Sequence, residues 1–455
     1  GGAMAPEEAS STASTSSDVS ASSSSFSSSA TLNLDSISSP GRGADETPRL
    51  SQSASSGASD LRSGAEDTRL NTTTKVYHQQ QHRRRLSAIQ EVSKVVVIRA
   101  KASPLYIDGD TLVAGGSIFS RDIPGNATSS WTQRAASGGG AISGDTMVSG
   151  LSVFTRDIPG NSSSSWTQSA TLKRSSLPIT FETCGSVIDG NTIVVGCSYE
   201  LRAFIFTRDG NLTSTWTQRA DFVIDGYTGM RMQFAIDGDT IAVGNTNTDG
   251  SYDKYLSGVV HVFVRDIAGN GTSSWTQLPN LYASDTGRQR YFGNTVSLSG
   301  DTLVVTGWSE GFGGYVSIHG YTYGKVYVFT RNVAGSLTSS WTERTTFTEG
   351  VCLYGNTAVI RGDTIVVGAY SAHSAYVYTR NVAGSLTSSW TRKTILDSQP
   401  RAVGYLGNGV PVDSNYYSFG ASVAIDGINI VVGASTAGMV HVFVAWPPPP
   451  PPPPP

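Results

Sequence analysis

Short apolar runs, separated by Gly, Asp and Asn, recur along most of the chain. In one copy, residues 327–331 (Tyr-Val-Phe-Thr-Arg) precede a Gly-containing turn and a second run that begins at Trp341. A further phrase of the form Ile-Asp-Gly-Asp-Thr-Ile-Val-Val-Gly comes before each such copy. β-Branched and aromatic residues suit a pleated strand, whereas Gly, Asp and Asn suit tight turns. No stretch has the period of a long amphipathic helix, so the pattern predicts an array of all-β repeats.

Each repeat is predicted to contain four short strands, and the fifth copy shows the scheme. Its strands are expected at residues 292–298, 302–306, 327–331 and 341–347, with a tight turn between the first two. A four-stranded sheet that recurs several times is typical of a β-propeller, whereas a solenoid has less strand in each unit.

The number of repeats predicts a closed ring of seven blades. The turn phrase occurs seven times, but only six copies end in a fourth strand that begins with tryptophan (Trp131, Trp166, Trp216, Trp275, Trp341 and Trp390). We expect residues 94–100 to supply the missing strand of the last blade, which removes its open edge. The predicted fold is a seven-bladed β-propeller of four-stranded antiparallel blades over residues 94–446, with the six Trp packed between blades.

Composition and charge narrow the possible functions. With 455 residues, 15% charged residues and a net charge of −3, the chain has no basic footprint for nucleic acid. No run approaches the roughly 18 apolar residues of a membrane-spanning helix, and no signal peptide is visible. Residues 1–93 form a Ser-rich tail and basic linker that we expect to be disordered, and residues 447–455 form a polyproline segment. We expect a monomeric propeller between them.

Three segments resemble a known repeat family. Residues 292–296 (Phe-Gly-Asn-Thr-Val), 365–370 (Ile-Val-Val-Gly-Ala-Tyr) and 419–427 (Phe-Gly-Ala-Ser-Val-Ala-Ile-Asp-Gly) are similar to FG-GAP repeats, as in the seven-bladed propeller of integrin alpha chains. The resemblance covers roughly residues 94–446. It implies an integrin-like, extracellular propeller for cell adhesion or ligand binding, without catalysis. Integrin repeats often carry a calcium loop between the first two strands, but this chain has only Asp-Gly-Asp-Thr there, too short to enclose a cation.

The sequence favours a non-enzymatic binding module, extracellular or at the cell surface. No His-Glu-x-x-His, Gly-x-Ser-x-Gly or phosphate-loop motif occurs, so no catalytic residue is assigned. Variable loops on a rigid scaffold commonly carry recognition, and the longest here, at residues 244–258, 306–325 and 397–418 in blades 4 to 7, are rich in aromatic residues. The residues predicted to bind a protein or glycan are Tyr252, Tyr255, Trp308, Phe312, Tyr315, Tyr321, Tyr323, Tyr405, Tyr416 and Tyr417. The alternatives are a carbohydrate-active enzyme, such as a lyase or glycoside hydrolase, and an intracellular scaffold.

One loop has oxygen-bearing residues at the spacing of a calcium site. Asn245, Asn247, Asp249 and Asp253 stand at positions 1, 3, 5 and 9 of a segment with Gly250 at position 6. The two interpretations are a Ca²⁺ site and a polar surface loop without a cation. No other cofactor is expected.

Five Asn-x-Ser/Thr sequons make the chain a candidate glycoprotein. They are at Asn71, Asn126, Asn161, Asn211 and Asn270. Four of them fall in the turn between the third and fourth strands, so glycosylation and the ordinary turn preference of Asn are both consistent with the pattern.

Two further patterns concern hairpin turns. If residues 190–191 form a two-residue turn, Cys184 and Cys197 face each other as a non-hydrogen-bonded pair, which predicts a disulfide. Residues 361–363 read Arg-Gly-Asp, but other copies have Asp-Gly-Asp or Ser-Gly-Asp in that slot. Because Gly and Asp recur at this position in the other copies, the tripeptide is interpreted as a turn and not as an adhesive motif.

Overall fold

The computed structural model describes residues 92–126, 129–135, 139–173, 184–198, 200–225, 232–246, 257–285, 291–309, 323–349, 354–397, 404–405, 411–412 and 418–445. In these residues the chain forms seven four-stranded antiparallel sheets and a two-stranded ribbon, and a short 3₁₀ turn lies at Tyr370–Ala372. The predicted all-β, seven-bladed propeller is confirmed. No helix in the described part is long and apolar enough to cross a membrane.

A first strand, β1 (Val92–Arg99), precedes three sheets that follow one another along the chain. The first sheet comprises β2 (Leu105–Asp108), β3 (Thr111–Ala114), β4 (Ser117–Arg121) and β5 (Trp131–Ala135). The second comprises β6 (Ala141–Ser143), β7 (Thr146–Ser149), β8 (Ser152–Arg156) and β9 (Trp166–Thr171). The third comprises β10 (Cys184–Asp189), β11 (Thr192–Cys197), β12 (Arg202–Arg208) and β13 (Trp216–Val223).

The next three sheets repeat the same antiparallel order. The fourth comprises β14 (Gln233–Asp237), β15 (Thr240–Asn245), β16 (Val259–Arg265) and β17 (Trp275–Gln277). The fifth comprises β18 (Thr295–Ser299), β19 (Thr302–Ser309), β20 (Tyr323–Arg331) and β21 (Trp341–Phe347). The sixth comprises β22 (Tyr354–Arg361), β23 (Thr364–Ala369), β24 (Ser374–Arg380) and β25 (Trp390–Asp397).

The seventh sheet joins both ends of the described chain. After the ribbon of β26 (Gly404–Tyr405) and β27 (Pro411–Val412), it comprises β28 (Phe419–Asp426), β29 (Asn429–Ala434) and β30 (Met439–Ala445). Its fourth strand is β1, which pairs antiparallel with β30 so that Val96 lies opposite Val442. The strand expected at about residues 94–100 therefore occupies the predicted place.

The apolar residues of the sheets are buried at the boundaries between neighbours. Seven hydrophobic clusters lie at the seven boundaries. Val113 and Ile118 of the first sheet pack on Met147 of the second, and all three side chains are at most 1% exposed. At the closing boundary, Leu112 of the first sheet shares a cluster with Val431 of the seventh. Because each sheet buries its faces against its two neighbours, the seven clusters together form the hydrophobic core of the ring.

The Phe-Gly phrase of the repeat has a packing role at the boundary between the fourth and fifth sheets. Phe292 is fully buried, and its ring meets Tyr327 edge-on, with centroids 5.1 Å apart. Gly293 has a φ of 90°, and a Cβ on Gly244 would lie 2.3 Å from the Gly293 carbonyl oxygen. Glycine is needed at both positions because the two backbones touch there.

Several predicted strand and loop boundaries are corrected. The first strand of the fifth sheet begins at Thr295 instead of residue 292, and β19 and β20 continue into the loop predicted at residues 306–325. The loop predicted at residues 397–418 contains the ribbon of β26 and β27. Cross-strand pairing continues as long as backbone groups remain in register, which side-chain pattern alone does not fix.

Candidate functional site

An arginine at the end of the third strand joins two turns in the second sheet. Arg156 Nε donates to Asp145 Oδ1 in the first hairpin turn at 2.7 Å, and Nη1 donates to the carbonyls of Asn161 and Ser162, each at 3.1 Å. Oδ2 of Asp145 accepts from the Gly160 backbone N–H at 2.9 Å. The turn between strands one and two and the turn between strands three and four therefore lie on the same face of the propeller. The equivalent arginines are Arg121, Arg208, Arg265, Arg331 and Arg380.

The same arginines bind the preceding sheet. Arg156 Nη2 donates to Thr111 Oγ1 of the first sheet at 2.8 Å. The other five make the corresponding contact with Asn429, Thr146, Thr192, Thr240 and Thr302. Burial lowers the pKa of Arg331, but a guanidinium stays charged at neutral pH, and Asp301 Oδ1 lies 3.0 Å from its Nε. The six buried cations are thus structural links between sheets.

Each repeated tryptophan lies over the arginine of its own sheet. The guanidinium carbon is 4.4 to 4.9 Å from the ring centroid in all six pairs. The rings also belong to the boundary clusters, and Trp275 and Trp341 are less than 10% exposed. Packing between blades is therefore as expected, with a cation–π contact added.

A belt of polar contacts surrounds the axis at the ends of the first strands. There, Asp189 Oδ2 accepts from the Gly238 backbone N–H of the next sheet at 2.6 Å. Asp108, Ser143, Asp237, Ser299 and Asp426 accept in the same way from Gly144, Gly190, Gly300, Gly362 and Gly109. Between the sixth and seventh sheets, an ion pair of Arg361 Nε with Asp426 Oδ1 at 3.5 Å takes the place of this contact. The belt therefore passes all seven boundaries.

The Arg-Gly-Asp tripeptide belongs to this belt. Arg361 pairs with Asp426, and Asp363 accepts from both Arg380 Nε at 2.7 Å and the Gly384 backbone N–H. Both charged side chains of the tripeptide thus have partners inside the propeller. This arrangement agrees with the interpretation of the segment as a turn.

A channel runs along the propeller axis inside the belt. Its cavity volume is about 330 Å³, and its wall consists of the first strand of every sheet. The acidic side chains at its mouth, including Asp189 and Asp426, are held by backbone N–H groups or Arg361. No group of three or more His, Cys, Asp or Glu that could hold a metal occurs among the described residues.

The structure places three of the predicted ligand-binding residues on strand backbones. Trp308 is in β19, Tyr323 begins β20, and Tyr405 is in β26. The strand register pairs Trp308 with Gly324 and Ser309 with Tyr323, at the end of one hairpin. The others, Tyr252, Tyr255, Phe312, Tyr315, Tyr321, Tyr416 and Tyr417, lie outside the described residues.

The first residue of the predicted calcium loop has a different role. Asn245 is the last residue of β15 and is 1% exposed, and its Nδ2 donates to the Asp225 carbonyl at 2.9 Å. Its expected position in a loop is therefore corrected. Asn247, Asp249 and Asp253 lie outside the described residues.

The sequons of the propeller lie in its turns between third and fourth strands. Oδ1 of Asn161, Asn211 and Asn270 accepts from the backbone N–H and the hydroxyl of the residue two positions later. Asn126 is exposed in the corresponding turn of the first sheet, and Asn71 lies outside the described residues. These contacts use the side-chain oxygen of Asn. Such a turn therefore accounts for the presence of Asn at these positions whether or not a glycan is attached.

Cys184 and Cys197 form a disulfide across the first hairpin of the third sheet. They are register partners of β10 and β11, and their Cα atoms are 4.2 Å apart. The two-residue turn at Gly190 sets this register, as predicted from the sequence.

Sequence reasoning missed the six arginines. Each stands in a strand-ending Thr-Arg-Asp, Ser-Arg-Asp, Val-Arg-Asp or Thr-Arg-Asn phrase, and five precede the tryptophan by ten residues. That fixed distance was the available signal. A charged residue at the end of a strand ordinarily lies in solvent, so only the surrounding turns reveal that it is buried.

One repeat family and several solved structures are similar to parts of the chain. Residues 275–329 match the FG-GAP repeat family. No curated protein matches the chain. Among solved structures, it is similar to the β-propeller domain of Cps50 (Swd1) from Myceliophteria thermophila, with 11% identity and a TM-score of 0.46, over 78% of this chain and 100% of that one. It is also similar to a functionally unknown protein from Desulfotomaculum acetoxidans DSM 771, with 15% identity and a TM-score of 0.36, over 62% and 82% of the chains. The repeat match at residues 275–329 and the seven four-stranded sheets together show a β-propeller that contains an FG-GAP repeat.

Proposed function

We propose that this propeller is a non-enzymatic binding or adhesion module, extracellular or at the cell surface, that binds a protein or glycan. The observation that carries the proposal is the length of the hairpin of β19 and β20. The pairs Trp308–Gly324 and Ser309–Tyr323 continue it beyond the level of Gly307–Lys325. In the fourth sheet the last pair of the equivalent hairpin among the described residues is Asn245–Val259. At about 3.4 Å per residue, the fifth hairpin projects about 7 Å further from the ring.

The opposite face of the propeller, which carries the turns between strands one and two and between strands three and four, supports the assignment of binding to the face of the β19–β20 hairpin. The turns on that face are tied together by the arginine and belt contacts, which repeat from sheet to sheet. Repeated contacts of this kind build the ring, whereas a projecting element on a rigid scaffold is free to differ and to carry recognition. The acidic groups at the channel mouth already have partners, so they favour a structural role over acid–base catalysis.

A binding assay with the full chain tests this function. The probes are an array of sialylated and sulfated glycans and immobilised collagen and fibronectin. We expect the double variant Trp308→Ala/Tyr323→Ala to lose at least tenfold in binding. The matched control Ile123→Ala/Ile158→Ala changes two residues of the opposite face that are 57% and 58% exposed, and it should bind normally.

Two outcomes would overturn the proposal. Undiminished binding by the Trp308→Ala/Tyr323→Ala variant, with an unchanged melting temperature, removes the projecting hairpin as the site. New reducing ends or unsaturated products from the arrayed glycans would instead show that the chain is a glycoside hydrolase or lyase.

A further inference from the structure

A groove opens on the rim of the propeller between the second and third sheets. Its cavity volume is about 750 Å³, within the range of sites for small ligands. One wall is the β9 edge of the second sheet, with Thr167 and Ser169, and the other is the turn before Trp216. We call it the inter-sheet groove. It arises where two departures from the repeat meet.

The first departure is a shorter turn in the third sheet. Trp166 follows Arg156 by ten residues, but Trp216 follows Arg208 by only eight. At the boundary of the third and fourth sheets, the full-length turn covers the neighbouring strand, because Thr207 Oγ1 donates to the Gly271 carbonyl at 2.9 Å.

At the inter-sheet groove the corresponding residues, Thr155 and Leu212, form its lining. The shorter turn therefore leaves the β8 and β9 edge of the second sheet uncovered.

The second departure is Ser169. Three residues after the tryptophan, the first, third and fifth sheets have an arginine that donates to a third-strand hydroxyl. The contacts are Arg134 Nε to Ser120 Oγ, Arg219 Nε to Thr207 Oγ1 and Arg344 Nε to Thr330 Oγ1, at 2.6, 3.0 and 2.9 Å. Ser169 is too short for this, and its hydroxyl donates to the Val153 carbonyl at 3.4 Å. The space of an arginine side chain is therefore left open beside Thr155.

The lining of the groove indicates the class of ligand. Hydroxyl groups predominate, among them those of Thr155, Thr167 and Ser169, and the indole of Trp216 adds an aromatic surface. The charged residues of the lining are Arg156, Asp157 and Lys173, and the guanidinium of Arg156 is already paired with Asp145. The hydrogen bond from Ser165 holds the pKa of Asp157 below its usual range, so this carboxylate is ionised at neutral pH. Because Asp145 neutralises Arg156 and Asp157 balances Lys173, the groove offers no excess positive charge to phosphate or sulfate.

We propose that the inter-sheet groove binds a neutral oligosaccharide. Sugar hydroxyls can donate to and accept from Thr and Ser hydroxyls, since these groups both donate and accept. The apolar face of a pyranose packs on an aromatic ring such as that of Trp216, where burial of apolar surface adds affinity. This site is separate from the projecting hairpin of the fifth sheet, and binding there does not depend on it.

Titration of the full chain with neutral hexasaccharides of glucose, mannose and N-acetylglucosamine, followed by calorimetry, tests the groove. Ser169→Arg restores the residue of the first, third and fifth sheets, and we expect it to fill the groove and weaken binding at least tenfold. Gln168→Arg is the matched control, because it adds the same charge one residue away on an exposed side chain that does not line the groove. It should bind within twofold of the wild type.

Each remaining outcome decides the proposal. Ser169→Ala should keep the space and lose one hydroxyl, with binding weakened a few-fold. The Trp308→Ala/Tyr323→Ala variant should bind the hexasaccharides normally, which separates this site from the proposed binding face. Equal affinity of the wild type and a folded Ser169→Arg variant overturns the assignment to the groove. So does tighter binding of sulfated or uronic-acid hexasaccharides, or no binding of any of the neutral ones.

Discussion

Arg156 in the second sheet and Arg208 in the third hold equivalent positions and are almost equally buried, at 6% and 7% exposure. Arg156 has a carboxylate, two turn carbonyls and a threonine hydroxyl as partners. Arg208 donates to the amide oxygen of Asn191 at 2.7 Å and to the Thr146 hydroxyl at 2.8 Å, while its buried Nη1 has no hydrogen-bond partner among the described residues. Burial lowers the pKa of Arg208, and no carboxylate of the described residues forms an ion pair with it to offset this effect.

The difference follows from the direction of one hydrogen bond. In the second sheet the long turn presents the Gly160 N–H to Asp145, so an acceptor is required there. In the third sheet the shorter turn presents the Gly210 carbonyl, and Asn191 Nδ2 donates to it at 3.2 Å. Removing two residues from a turn thus replaced an acceptor with a donor and left the arginine without its negative partner. A local change in length has altered the charge balance of a buried site.

The largest effect on stability is expected when each of the two arginines is replaced separately by alanine. Arg156→Ala leaves the Asp145 carboxylate and two carbonyls without their donor, and we expect a loss of about 3 to 5 kcal/mol in the free energy of unfolding. Arg208→Ala removes fewer contacts and an unpaired buried donor, so a loss of about 1 to 2 kcal/mol is expected. Urea unfolding of the full chain measures both. Equal losses would show that the number of partners does not set the contribution of these arginines.

A histidine in the seventh sheet extends the contrast to a second buried group with unsatisfied nitrogen atoms. His441 is 3% exposed, neither ring nitrogen has a hydrogen-bond partner in the described part of the chain, and burial lowers its pKa to about 4 from 6.5. The unfolded chain therefore takes up the proton first, and the free energy of unfolding falls as the pH drops from about 6.5 towards 4. Between pH 7.5 and 5 the wild type should lose about 2 kcal/mol more than His441→Phe.

The control for this pH effect is within the repeat. Phe204 occupies the equivalent strand position in the third sheet, facing Val195 as His441 faces Val432, so phenylalanine suits the site. Unfolding midpoints at a series of pH values give the comparison. Parallel pH profiles for the wild type and His441→Phe would contradict it.

The smallest effects are expected from exchanging the two turn residues. Asp145→Asn removes the charge from Arg156 and can turn an amide N–H towards that of Gly160, which should cost about 2 kcal/mol. Asn191→Asp supplies Arg208 with a charge but places a carboxylate against the Gly210 carbonyl, so we expect a change of about 1 kcal/mol or less. Thermal unfolding of both variants measures the effects. Stabilisation by Asn191→Asp of more than 1 kcal/mol would show that the missing charge, and not the turn, limits the third sheet.

The sequence was sufficient to predict the elements that depend on pattern and counting. Seven turn phrases but six Trp-initiated strands pointed to β1 as the fourth strand of the last sheet, and a two-residue turn fixed the opposition of Cys184 and Cys197. Periodicity of side chains determines which face of a strand is buried, and turn length determines its partner.

The arginine contacts and the inter-sheet groove could not be predicted in the same way. The contacts of Arg156 involve turn carbonyls and a threonine from another sheet, and neither is visible in residue type. The groove depends on two features, the shorter turn before Trp216 and the small side chain of Ser169. They lie in different sheets, and only the fold brings them together. Asn245 was misplaced for a related reason, since a polar residue at a strand end was assigned to the following loop.

Pairing β1 with β30 has a consequence for the order of assembly. During synthesis β1 leaves the ribosome long before β30. The first six sheets can therefore pack before β30, the strand that pairs with β1, has been made. The Asp426 contact to the Gly109 N–H and the Arg121 contact to Asn429 form only after that late step. The final joint of the ring is thus made only after its last strand has been synthesised, by the earliest and latest segments of the propeller.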